Sequence, residues 1–102
     1  MERNGVEIPE EELEDFCKRN HIRELSLFGS ILREDFSKNS DIDVLVEFDE
    51  GHIPGLIGIS SMERELSELF KGRKVDLRTT YDISVHYRDE VMGSRRVIYG
   101  QT

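Results

Sequence analysis

The stretch LFGSILREDFSKNSDIDVLVEF, Leu27 to Phe48, holds a Gly-Ser pair near one end and an Asp-x-Asp near the other. Its second half decides the fold. Ile42, Val44, Val46 and Phe48 alternate with Asp41, Asp43, Leu45 and Glu47, the period of a strand with one apolar and one acidic face. IRELSLF, Ile22 to Phe28, predicts a strand that stops at Gly29. Too few residues separate Gly29 from Asp41 for a parallel crossover, so the two strands should run antiparallel. The linking ILREDF predicts a helical turn or two.

Outward from this stretch, helices and strands alternate. Pro9 followed by EEELEDFCKRN predicts a helix, with proline and acids at its start, Lys18 and Arg19 at its end, and Leu13, Phe16 and Cys17 as its apolar stripe. Ile59, Met62, Leu66, Leu69 and Phe70 recur at spacings of three and four, predicting a helix from about Pro54 to Phe70 that Gly72 ends. KVDLRT predicts a strand, Val75 and Leu77 on one face, Asp76 and Arg78 on the other. Ile83, Tyr87 and Val91 predict a helix from about Tyr81 to Tyr99, weakened by Gly93 and Ser94. One α/β (α+β) domain over residues 1–102 follows, a mixed sheet of about three strands flanked by helices.

The bulk composition narrows the function. At 36% hydrophobic and 35% charged residues the chain reads as an ordinary soluble globular domain. No apolar run has the length of a membrane span, and the acidic N-terminus lacks the basic and apolar regions of a secretory signal, so a cytoplasmic location and no membrane partner are expected. A net charge of −8 repels phosphate backbones and argues against direct nucleic-acid binding. It suits a basic protein partner or cations gathered at carboxylates. Cys17, the one cysteine, reads as a buried core thiol.

The acids carry the chemical signal. Side chains two apart on a strand point the same way, with α-carbons about 6.5 to 7 Å apart, so Asp41 and Asp43 can converge on one site. If the KVDLRT strand lies alongside, Asp76 joins them. Three close carboxylates raise one another's pKa, and a divalent cation relieves the repulsion. Hard oxygen ligands favour magnesium or manganese, and two such ions can clamp the attacking and leaving oxygens of a phosphoryl transfer. Gly29 and Ser30 supply a tight bend whose amides and hydroxyl can cradle phosphate, and Arg33, a turn further on, can steady its charge.

Gly29-Ser30, ten residues, Asp41-x-Asp43 in an apolar strand, then a later strand carrying Asp76 resembles the nucleotidyltransferase superfamily that includes DNA polymerase beta. Within it the chain looks like the minimal nucleotidyltransferases, small prokaryotic proteins commonly paired with a HEPN-domain toxin. The resemblance runs from about Glu24 to Tyr99 and takes in SDIDVLVEF, KVDL and YRDEVMGSRRVIYG. It implies magnesium-dependent transfer of AMP from ATP, with release of pyrophosphate. Gly29, Ser30 and Arg33 would bind the nucleotide, Asp41 and Asp43 would ligate two metal ions, and Asp76 would bind the metal near the incoming hydroxyl and help activate it. In similar antitoxins the acceptor is a tyrosine hydroxyl of the HEPN toxin, which AMP attachment silences. Glu34 departs from the pattern, many relatives having glycine there.

Two other readings stand beside this one. In the first, the chain is a non-catalytic antitoxin that masks its toxin by contact. In the second, it transfers a nucleotide to a small molecule, although so small a domain has no second lobe to seat one. Gly55-Leu56-Ile57-Gly58 marks an irregular helix start, not a phosphate cradle, and no Walker lysine loop occurs. His21, His52 and His86 lack metal-ligand spacing. Arg95 and Arg96 read as solvated charges, and Tyr81, Tyr87 and Tyr99 as core or interface.

Overall fold

The computed structural model describes residues 2–100. Asn4 and Gly5 take left-handed backbone angles, φ 48° and 82°, and close a hairpin between β1 (Glu2–Arg3) and β2 (Val6–Glu7). An Asn-Gly pair suits such a turn because neither residue resists positive φ. Helix α1 (Glu10–Arg19) follows, with Leu13, Phe16 and Cys17 buried as expected, and β3 spans Ile22–Phe28. Burial pushes the Cys17 thiol up to about 12. A single 3-10 turn, Gly29–Leu32, leads toward β4 (Ile42–Phe48). Then come α2 (Leu56–Leu69), β5 (Val75–Thr79), a 3-10 turn at Thr80–Asp82, α3 (Val85–Ser94) and β6 (Arg96–Gly100).

The main sheet has the order β5-β4-β3-β6. The short link between β3 and β4 gives the expected antiparallel pair, and α2 serves as the crossover that lets β4 and β5 run parallel. Strand alternation then sorts the side chains. Ile42, Val44 and Val46 join Leu25, Leu27, Val75 and Leu77 in one core with Leu13, Phe16, Met62, Leu66 and Phe70 from the two helices. Asp43, Leu45 and Glu47 take the far face. Leu45 is buried there, as is Ser26, its cross-strand partner.

Four expectations need correction. The sheet has four strands, not about three, because Arg96–Gly100 forms β6 along the free edge of β3 instead of extending a helix to Tyr99. Gly93 and Ser94 weaken the helix, and the Val-Ile-Tyr run that follows suits a strand. Helix α2 starts at Leu56, past Pro54 and an extended Gly55. Helix α3 starts at Val85, where the Ser84 hydroxyl accepts the His86 N–H at 3.3 Å. Its Ile83-Tyr87-Val91 spacing does not make a packed stripe: no residue of α3 is buried, and Tyr87 is 62% exposed.

Leu66, fully buried, locks α2 to the sheet. Leu66→Ala should lower the unfolding free energy by about 3 kcal/mol in urea titration, the usual range for an emptied core site.

Candidate active site

The far face of the sheet brings the acids together. In the parallel register Asp43 lies opposite Asp76, and in the antiparallel register Phe28 lies opposite Asp43. Gly29, directly after Phe28, therefore abuts Asp43. A β-carbon built at Gly29 would fall 2.2 Å from Asp43 Oδ2, and Gly29 has φ 71°, so the backbone angle favours glycine and a side chain there would push the Asp43 carboxylate aside. Asp41 precedes β4 where its neighbour Ile42 donates its N–H to the Lys74 carbonyl at 2.8 Å, stitching the mouths of β4 and β5.

The electrostatics follow from this crowding. Asp43 is partly buried, and its carboxyl titrates above the usual aspartate range. Desolvation is the largest cause, the charge of Asp76 the next; an N–H donated by the Ser30 backbone opposes both, Asp41 adds repulsion, and Arg78 offsets part of it. The flanking acids face cations of the chain itself. Arg78 Nε is 3.2 Å from Asp76 Oδ2, and Lys74 Nζ is 3.8 Å from Asp41 Oδ2. Sequence reasoning put Arg78 on the same strand face as Asp76 without pairing the two, and gave Lys74 no role at the site; the two-residue spacing of Asp76 and Arg78 could have suggested the first pair.

The remaining expected residues fall as follows. Ser30 Oγ lies 3.5 Å from the Asp41 carbonyl, across the bend. The phosphate cradle expected at a helix start is only a 3-10 turn, too short to build a helix dipole. Arg33 is exposed, lies 3.3 Å from Asp35, and lines a cleft of about 650 Å³ that opens beside Gly29. His21 and His52 stack face to face at 3.9 Å on the surface, well removed in sequence from the acids.

A hard divalent cation fits this donor chemistry, since repelling carboxylates from adjacent strands share one face and two side-chain cations already draw near them. As the side chains stand, however, no three His, Cys, Asp or Glu among the described residues converge on one point. Asp76 and Asp41 are turned to Arg78 and Lys74, and gathering the three means releasing those pairs. Both pairs are exposed enough to be weak.

Comparison with known proteins now decides the family. Residues 10–98 match the model of the nucleotidyltransferase domain. The chain belongs to that family. It is a nucleotidyltransferase whose kin are protein adenylyltransferases. A provisionally named protein adenylyltransferase of Methanocaldococcus jannaschii is 34% identical over 72% of this chain and 76% of its own length. Protein adenylyltransferase MntA of Thermococcus cleftensis is 40% identical over 59% of this chain, which spans only 58% of that relative. Two solved toxin–antitoxin complexes share the fold. One, with AMP-PNP, has a TM-score of 0.73 at 21% identity, covering 93% of this chain and 76% of the other. The second, a tri-AMPylated Shewanella oneidensis HEPN toxin with its MNT antitoxin, scores 0.65 at 19% identity, covering 91% and 71%. Among the described residues no helix is long and apolar enough to cross a membrane.

A raised carboxyl favours the folded state most when protonated. The contribution of Asp43 is therefore greatest below the ordinary aspartate value of 3.8 and is lost as pH rises through its higher folded value. Asp43→Asn should accordingly raise the melting temperature at pH 7, with the gain vanishing below pH 3.8 in a calorimetric pH series. Gly29→Ala should do the opposite, lowering the melting temperature at both pH values through strain and the clash with Asp43.

Proposed function

We propose that the chain transfers AMP from ATP to a tyrosine hydroxyl of a partner HEPN toxin, so acting as an antitoxin. The observation that carries this reading is the shared face of Asp43 and Asp76, set in register on adjacent strands with the Gly29 bend against Asp43. The names of the curated relatives support protein adenylylation, and the complexes of like fold support a toxin partner and an adenine nucleotide.

In this scheme Asp41, Asp43 and Asp76 would hold two magnesium ions. The bound cations would cancel carboxylate repulsion and polarise the phosphoryl oxygens. Gly29 leaves room for a phosphate to approach the backbone, Ser30 offers its hydroxyl, and Arg33 meets the charge from the side of the cleft. Asp76 takes the proton of the acceptor hydroxyl. The hydroxyl oxygen then bonds to the α-phosphorus while the bond to the bridging oxygen of the β-phosphate breaks, and pyrophosphate leaves. Asp43 is suited to the centre of the site because burial and the charge of Asp76 disfavour its ionised form, a cost that a cation there would relieve.

Purified chain, magnesium and labelled ATP should label the co-expressed toxin, seen as an added AMP mass on the intact partner. Asp41→Ala with Asp43→Ala should cut the rate about a thousandfold, several kcal/mol of lost charge stabilisation. Labelling that persists in the double variant would sink the assigned roles. Neutralisation that persists without labelling would instead favour masking by contact.

A further inference from the structure

The N-terminal hairpin lies outside residues 10–98, the part matched by the family model. It is nevertheless tied to the bend that carries Gly29. The Asn4 side-chain amide donates to the Ile31 carbonyl and, at 2.9 Å, to the Arg33 carbonyl. Because Asn4 holds the hairpin there, Arg3 becomes a wall of the cleft beside Gly29.

The charge in that cleft runs against the rest of the molecule. A chain with 22 acids and 14 lysines and arginines lines this one cavity with Arg3, Arg33, Arg95 and Arg96, against a single carboxylate, Glu90. Arg33 and Arg95 have partners in Asp35 and Glu24. Arg3 Nε is buried with no hydrogen-bond partner among the described residues. Arg96 has no carboxylate within ion-pair distance among them either. A buried guanidinium donor without an acceptor is costly, and an anion with several oxygens entering the cleft would remove that cost. The cleft reaches Gly29, whose backbone abuts Asp43, so an anion held there lies across the bend from the acids.

We propose that Arg3 and Arg96 bind the polyphosphate tail of the nucleoside triphosphate in this cleft, an inference that rests on the transferase reading above. Arg96 is then a ligand-binding residue, not merely a solvated charge. The N-terminal hairpin completes the nucleotide site.

Titration calorimetry with magnesium tests this on the full chain, using AMP-PNP, inorganic pyrophosphate and adenosine as probes. Arg3→Gln and Arg96→Gln should each weaken AMP-PNP and pyrophosphate about tenfold while leaving adenosine unchanged, and Arg3→Lys should recover part of the loss. Should Arg3→Gln fail to fold, Arg96→Gln, on an exposed strand residue, carries the test. AMP-PNP binding by both glutamine variants equal to wild type overturns the cleft assignment and leaves the transferase reading standing. Absence of AMP-PNP binding by the wild-type chain overturns both.

Discussion

The arrangement of the candidate site depends on a contact between a backbone and a carboxylate. Gly29 has no side chain and a left-handed backbone angle, and Asp43 occupies the volume a β-carbon would need. That close approach is possible only because β3 ends at the point where β4 begins its acidic face, a consequence of their antiparallel register. The parallel register of β5 then sets Asp76 beside Asp43. Three strands thus deliver a bend and two carboxylates to one spot, where burial first and the charge of Asp76 second weigh against the ionised form of Asp43.

The rest of the fold can be seen as support for this edge. Helices α1 and α2 cover a single face, and their buried side chains hold the strands in register from behind. The face that carries the acids is covered much less, since α3 buries none of its residues. A buried back and a less covered front leave the acids approachable from one side of the sheet. Helix α3 forms one wall of the cleft beside Gly29 through Tyr87, Glu90, Val91 and Ser94.

Charge is distributed unevenly within an acidic molecule. The acids at the strand mouths are offset by Lys74 and Arg78, both exposed and held by weak pairs. Arginines collect on the other side of the bend, and two of them lack acceptors among the described residues. The magnesium-bound triphosphate proposed above has the matching polarity, with cations at one end and anionic oxygens along its length. A neutral ligand would leave both halves of the site unsatisfied.

Much of this was legible in the chain before folding was considered. Alternation at Ile42–Phe48 and KVDLRT revealed which side chains share a face, because a strand has a period of two wherever it lies. The stripe of Leu13, Phe16 and Cys17 was legible for the same kind of reason, and the short loop after Gly29 required antiparallel pairing. Strand β6 was missed although Val97–Tyr99 favours a strand locally, because the helical spacing of Ile83, Tyr87 and Val91 was carried past Gly93 and Ser94; pairing with the edge of β3 fixes it. The hairpin at Asn4-Gly5 was missed although its turn signal was present, because two residues on each side carry no period. Sequence by itself determined that acids would line one side of a sheet and that glycine would precede them at a bend. Tertiary structure alone decided that Asp76 stands level with Asp43 and that Arg3 reaches the same cleft, for register and docking depend on contacts between segments far apart along the chain.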